Sequence, residues 1–230
     1  MLEIGPKAFV ASLDIDAQNG FTQHCPDELP VPEGHKIVDA LNAQACFAGC
    51  RVGSKDAHPH NPEWLASETH PIGTEIHHKH MQHYWPSHCV PGTTGFKLLS
   101  GLPHPSEYDY FVWKGMEPDM HPYGACYHDL QEKLSTGLIE FLHHKKITTV
   151  LVGGLATDYC VKTSVLQLLK AGFRVIINLD ACRGINPQST QEAIAQMQAL
   201  GGECIPNSNV LANQNSSVNT SRYAASECGE

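Results

Sequence analysis

The second half of the chain alternates between two hydrophobic rhythms, and this limits the fold more than any other feature. Residues 147–152 form a short β-branched apolar run. Residues 158–171 then carry helical spacing and stop at Gly172. Residues 173–178 are apolar and β-branched again, residues 188–200 are helical up to Gly201-Gly202, and residues 203–205 read as a last short strand. Strands separated by helices cannot pair as simple hairpins. Each crossover sets successive strands parallel and lays helices over both faces of the sheet.

The first half supplies the remaining strands. Residues 8–15 read as a buried first strand, residues 50–54 as a second and residues 108–113 as a third, with helices expected over 34–49 and 127–144. The expectation is an α/β fold, a three-layer α/β/α arrangement around a central, mainly parallel six-stranded sheet. One domain is expected over residues 1–206, without internal repeats. Residues 207–230, rich in Ser, Asn and Ala, are expected to form a mobile tail. Ligands on such sheets bind beyond the carboxyl ends of the strands. The stretch from 55 to 107 is rich in His, Pro and Gly without periodicity, and a loop that long in a compact domain is usually functional.

Charge and cysteine usage narrow the partners. A net charge of −9 argues against nucleic acid and anionic membranes. No apolar run reaches the roughly 18 residues of a membrane span, and the N-terminus lacks a secretion signal's basic start and apolar stretch. The odd count of nine cysteines then reads as reduced thiols in a cytoplasmic protein. A homo-oligomer remains open. Histidine is the outlier, with 15 copies, as many as Lys and Arg together.

Five segments carry candidate chemistry. Cys160 lies past the Gly153-Gly154 exit of a strand, near the start of a helix, where the thiolate is favoured. Asp16, after the first strand, is either a general base or a turn former. Asp56 and His58 are two apart, so an extended segment points both the same way and suits a borderline divalent metal; the alternative is a solvated loop. His88 can complete a three-ligand site and Trp85 can wall a flat aromatic ligand, or both belong to a proline-fixed loop. Lys114, after the third strand, is either a solvated strand end or the cation that holds Cys160 as thiolate.

Together these segments resemble the nicotinamidases of the isochorismatase-like cysteine hydrolase superfamily. The resemblance runs from about Phe9 to Ile205. It is carried by Asp16-Ala17-Gln18-Asn19-Gly20-Phe21, Asp56-Ala57-His58-Pro59, Trp85-Pro86-Ser87-His88-Cys89-Val90, Lys114-Gly115 and Gly154-Leu155-Ala156-Thr157-Asp158-Tyr159-Cys160-Val161. It implies a Rossmann-type fold and a catalytic triad of Asp16, Lys114 and Cys160. It implies an oxyanion hole from the backbone N–H groups of Ala156 and Cys160, with a cis peptide before Ala156. Asp56, His58 and His88 would bind one divalent metal ion, Zn²⁺ first, with Mn²⁺ or Fe²⁺ as alternatives. Phe21, Trp85, Leu155 and Tyr159 would contact substrate.

The implied reaction is conversion of nicotinamide to nicotinate and ammonia through a thioester, with pyrazinamide as a second substrate. The alternatives are a related hydrolase acting on a ureido or carbamoyl amide, and an inactive homologue that only binds metal or ligand. The chain also departs from the family pattern. Gly20 stands where the family usually has a second acid. Pro62 and Trp64 occupy positions where metal-binding relatives often carry another His, leaving His60 as a substitute ligand or a solvated residue. His77, His78, His80 and His83 are expected to form a mobile, solvated cover.

Overall fold

The structure, a computed structural model, describes residues 1–213. The remainder of the expected tail, residues 214–230, lies outside the described residues. In chain order the elements are β1 (Leu2–Glu3), β2 (Val10–Ile15), α1 (Val38–Ala45), β3 (Cys50–Asp56), β4 (Tyr110–Lys114), α2 (Leu138–His144), β5 (Thr149–Leu155), α3 (Lys162–Lys170), β6 (Arg174–Arg183), α4 (Pro187–Ala199), β7 (Glu203–Ile205) and β8 (Leu211–Ala212). The central sheet has the order β4-β3-β2-β5-β6-β7, and every pairing in it is parallel. This is the six-stranded α/β architecture expected from the alternating rhythm.

Strands β2 and β5 sit at the centre, and every residue of both is buried. That is why they read as continuous apolar runs rather than alternating ones. The exceptions are paired polar groups. Ser12 accepts from the Gln44 amide at 3.1 Å, and Asp14 accepts from Arg51 at 2.7 Å and from the Tyr108 hydroxyl at 2.8 Å. Strand order reverses at β2, which leads on one side to β3 and on the other to β5. The crevice at the carboxyl ends of β2, β3, β4 and β5 is therefore the switch point at which such sheets bind ligands.

Three local expectations fail for identifiable reasons. The helix expected over 127–144 is only α2, from Leu138. Upstream, the Asp129 carboxylate accepts from the backbone N–H groups of Gln131, Lys133 and Leu134, and Gly137 takes φ +84°. A side chain that captures those N–H groups competes with the helix for them. The helix expected from Asp158 opens as a wide turn over Thr157–Val161, and regular α3 begins at Lys162. Residues 207–213, assigned to the tail, instead carry β8, which pairs in parallel with β1. Leu211 is buried with Ile4, Val10 and Ile205, so this stretch has an apolar contact that its Ser/Asn content obscured.

Gly154 ties the two central strands to the crevice. It has φ +142°, and a Cβ there would lie 2.1 Å from the Ile15 carbonyl oxygen. A side chain would be strained in backbone and would push β5 away from β2 just below the crevice. Gly154→Ala is expected to destabilise the fold by about 2–5 kcal/mol, from strain and overpacking together. In a chain of this size that is a fall in melting temperature of roughly 5–15 °C. A melting curve unchanged from the parent would show that the strands part without cost.

Candidate active site

Four strand ends deliver the charged groups. Asp16 follows β2 with φ +45°, Asp56 closes β3, Lys114 closes β4, and Cys160 lies in the wide turn after β5. Asp56 and Lys114 are paired across the β3–β4 ladder, so the register itself sets their side chains together. All four residues are buried, and Asp16 and Lys114 are fully so.

The Lys114 ammonium is the centre of the cluster. Its Nζ lies 2.9 Å from Asp16 Oδ2 and 3.7 Å from Cys160 Sγ, and it donates to Asp56 Oδ1. Asp16 also accepts from the Ser54 hydroxyl at 2.6 Å. Asp16, Asp56 and Cys160 each bring one ligand-type atom within 4.8 Å of the others. The arrangement is thus an acid, an ammonium and a thiol in mutual reach.

Burial sets the protonation states. It pushes the Asp16 carboxyl above its ordinary value, outweighing the pull of Lys114. Burial also lifts the Cys160 thiol well above its usual range, and the two aspartates add to the rise while Lys114 opposes it. The helix start does not hold Cys160 as a free thiolate, contrary to the expectation from its position. The reason is burial first, to which the two carboxylates sharing the same pocket add. Burial alone would neutralise Lys114, but Asp16, Asp56 and Cys160 hold it charged. Burial would raise Asp56 too, yet Lys114 and the neighbouring imidazoles keep it well below the carboxylate range.

The other oxygen of Asp56 faces a set of histidines. Asp56 Oδ2 is 3.5 Å from His58 Nε2. His58 Nδ1 bonds the Gly115 carbonyl at 3.0 Å and His88 Nδ1 bonds the Pro86 carbonyl at 2.7 Å. In the neutral tautomer each Nδ1–H donates, which leaves the Nε2 lone pair as a ligand. Burial keeps His88 neutral by lowering its pKa to about 3. His58 Nε2 is buried without a hydrogen-bond partner. A carboxylate beside imidazoles with a bare buried nitrogen fits a divalent cation.

A mainly apolar cavity opens between these two groups. Phe21, Trp85, Tyr159, Ala156, Asp56, His88 and Cys160 all line it. Leu155 does not. It is packed in the core with Phe21, Ile37 and Ala156, since as the last residue of a central strand it belongs to the buried face. The peptide between Leu155 and Ala156 is cis.

Several residues were not anticipated. His121 and Tyr123 line the cavity, as do Leu29 and Ile185. The first two come from the loop that leaves β4 after Lys114, the same sheet edge that gave the other candidates, and that adjacency was the available signal. His60 is exposed and stands apart from the cluster, while Trp64 is fully buried and meets His58 and His88 edge-on or tilted. The His-rich tract folds back as a hairpin-like loop, with Ile76 N–H donating to the Gln82 carbonyl and Tyr84 N–H to the Thr74 carbonyl. Within it His77 and His78 are exposed, whereas His83 Nδ1 reaches the Tyr123 hydroxyl at 3.2 Å.

The missing acid at Gly20 also has a structural counterpart. The Glu28 carboxylate occupies that space, where it accepts from the Cys89 N–H at 2.8 Å. A Cβ on Gly20 would lie 2.3 Å from Glu28 Oε2, and one on Gly95 would lie 1.9 Å from Oε1. The carboxylate is present but arrives from a different position in the chain.

The isochorismatase domain matches residues 10–208. The chain is 35% identical over 202 residues to a nicotinamidase of Escherichia coli strain K12, an alignment covering 83% of this chain and 92% of that one. The structure of an Acinetobacter baumanii nicotinamidase/pyrazinamidase superposes with a TM-score of 0.79 at 30% identity, over 87% of this chain and 96% of that one. A pyrazinamidase of Pyrococcus horikoshii, solved in complex with zinc, gives 0.69 at 28% identity over 86% and 98%. The chain therefore belongs to the isochorismatase-domain family, in its nicotinamidase branch.

Proposed function

We propose that this protein hydrolyses nicotinamide to nicotinate and ammonia, with Cys160 as nucleophile, Asp16 as proton carrier and Lys114 as the fixed charge between them. The observation that carries the reading is that Asp16 and Lys114 meet behind Cys160, which itself lines a cavity walled by aromatic rings. That cavity suits a flat single-ring amide. Phe21, Trp85 and Tyr159 hold the ring, and the Cys160 side presents the nucleophile to the carboxamide.

Because burial keeps Cys160 as the thiol, attack and deprotonation are coupled. The Cys160 sulfur bonds to the amide carbon as its proton passes to Asp16, whose pKa is already lifted toward accepting it. Negative charge moves to the carbonyl oxygen, which is met by the N–H groups of Ala156 and Cys160. A donor of this kind is worth about 3–4 kcal/mol in the transition state. The C–N bond then breaks, Asp16 returns the proton to the departing nitrogen, and ammonia leaves a thioester. Asp16 takes a proton from water, the hydroxyl adds to the thioester carbon, and the C–S bond breaks; the sulfur takes back the proton from Asp16, and the acid product is released as nicotinate. Lys114 stays charged throughout and stabilises Asp16 in its ionised form.

Asp56, His58 and His88 would hold one divalent ion, which we assign as zinc from their carboxylate and imidazole chemistry. When bound, it supplies a Lewis-acidic anchor for the pyridine nitrogen and so fixes the amide against Cys160. Pyrazinamide offers the same ring nitrogen and amide and is the second substrate of this reading. All the described cysteines are free, which suits a reducing compartment such as the cytoplasm. No described helix is long and apolar enough to cross a membrane.

Two measurements test the reading. Cys160→Ala is expected to lower ammonia release from nicotinamide by at least about 10⁴-fold while calorimetry still detects nicotinamide binding. Substantial turnover by that variant would refute the covalent route. Exhaustive chelation is expected to abolish activity and added Zn²⁺ to restore it. Full activity of a sample free of metal would remove the ion from the reaction.

A further inference from the structure

His121 stands out among the buried groups that the mechanism leaves unused. It is 3% exposed, and neither ring nitrogen has a hydrogen-bond partner. A buried imidazole normally satisfies at least one nitrogen, because leaving a polar atom bare costs about 1–3 kcal/mol. Here both are bare, although the cavity that His121 lines also presents Asp56 and His88.

The position of the ring accounts for this. His58, His88 and His121 each bring a nitrogen within 4.8 Å of the other two. The His121 ring stacks on His58 with centroids 5.0 Å apart and planes 16° from parallel, and its centroid is 6.1 Å from that of His88. Three imidazole rings gain little from one another at this distance. Three imidazole nitrogens within 4.8 Å of one another beside a carboxylate are the donor set of a borderline divalent cation.

The backbone around His121 is fixed in advance. Its own N–H donates to the His80 carbonyl at 2.9 Å, and the carbonyl of the preceding Met120 accepts from Trp64 Nε1 at 3.0 Å. Further back in the same loop, the Pro118 carbonyl accepts from the Glu63 N–H at 2.8 Å and the Gly115 carbonyl binds His58 Nδ1. The loop after β4 is thus stitched at four points to the segments that carry His58 and the His-rich hairpin. The buried Trp64 ring packs against His121, with centroids 4.4 Å apart and planes 77° from parallel. Such packing and hydrogen bonding hold ligands in geometry.

We propose that His121 is a fourth protein ligand of the divalent metal, joining Asp56, His58 and His88 in an Asp–His₃ set. The inference rests on the metal site of the proposed function, but not on the identity of the amide. A fourth side-chain ligand reduces the positions left for water and substrate and favours retention of a borderline ion such as Zn²⁺ over Mg²⁺ or Mn²⁺.

The test uses the full chain and reads the metal directly, not turnover. Co²⁺ is loaded into the parent, His121→Phe and His121→Cys, and Zn²⁺ affinity is measured by competition with a chromophoric chelator. The parent is expected to give a visible Co²⁺ spectrum that changes in shape and intensity in His121→Phe, with Zn²⁺ affinity lower by at least about tenfold. His121→Cys is expected to recover affinity and to add a sulfur-to-cobalt charge-transfer band in the near ultraviolet, which only direct ligation produces. Identical cobalt spectra and zinc affinities in the parent and His121→Phe, with no sulfur band in His121→Cys, would overturn the proposal. So would a change confined to the KM for nicotinamide, which would make His121 a substrate contact. If metal binding follows His121 as described but no variant or parent releases ammonia, the amidase reading fails and this one stands.

Discussion

A single buried ammonium holds the site together. Lys114 has no access to solvent and stands against Asp16, Asp56 and Cys160 at once. Burying one charge is costly, and it persists here only because two carboxylates surround it. Removing Lys114 would leave both carboxylates without their cation in a dry interior, so the three strand ends are bound electrostatically as well as by their ladder hydrogen bonds. The same ammonium leaves one negative charge uncompensated, because it faces two acids. Asp56 divides its oxygens accordingly, one toward Lys114 and one toward His58. The surplus charge therefore falls on the histidine side, where a cation would be most stabilised.

The cavity separates roles by direction. Its charged and reactive groups arrive from the carboxyl edge of the sheet, while its rings arrive from long loops: Trp85 from the His-rich stretch, Tyr123 from the loop after β4 and Tyr159 from the turn beside the nucleophile. Trp85 Nε1 donates to the Tyr123 hydroxyl at 3.2 Å, so the aromatic walls are tied to each other and not only to the sheet. A rigid sheet thereby sets the reactive atoms, and cross-linked loops shape the ring pocket and limit water.

The fold was legible where the pattern is set by burial. β2 and β5 announce themselves because both faces are covered, and Asp16, Asp56, Lys114 and Cys160 are legible because each lies at or just beyond a strand end. The misreadings arose where local chemistry overrode the pattern. Tyr127, Leu130 and Leu134 keep helical spacing, but Asp129 takes the N–H groups a helix would need. Leu155 sits beside the turn that carries chemistry, yet strand geometry buries it. His121 had only its place in the loop after Lys114 as a signal, because that loop has no periodicity. Only the three-dimensional return of that loop across Trp64 and His80 brings the ring to the cluster. The stretch 207–213 was hidden by composition, since two apolar residues suffice to seat it.

Glu28 fills a slot whose walls are Gly20, Gly95 and the Cys89 amide. The slot accommodates one carboxylate, whichever residue contributes it. An acid at position 20 and a glutamate at position 28 thus exclude each other sterically, and the two sites form an epistatic pair. A chain passing between these solutions by single steps would either crowd two like charges into one space or leave the Cys89 amide without its acceptor.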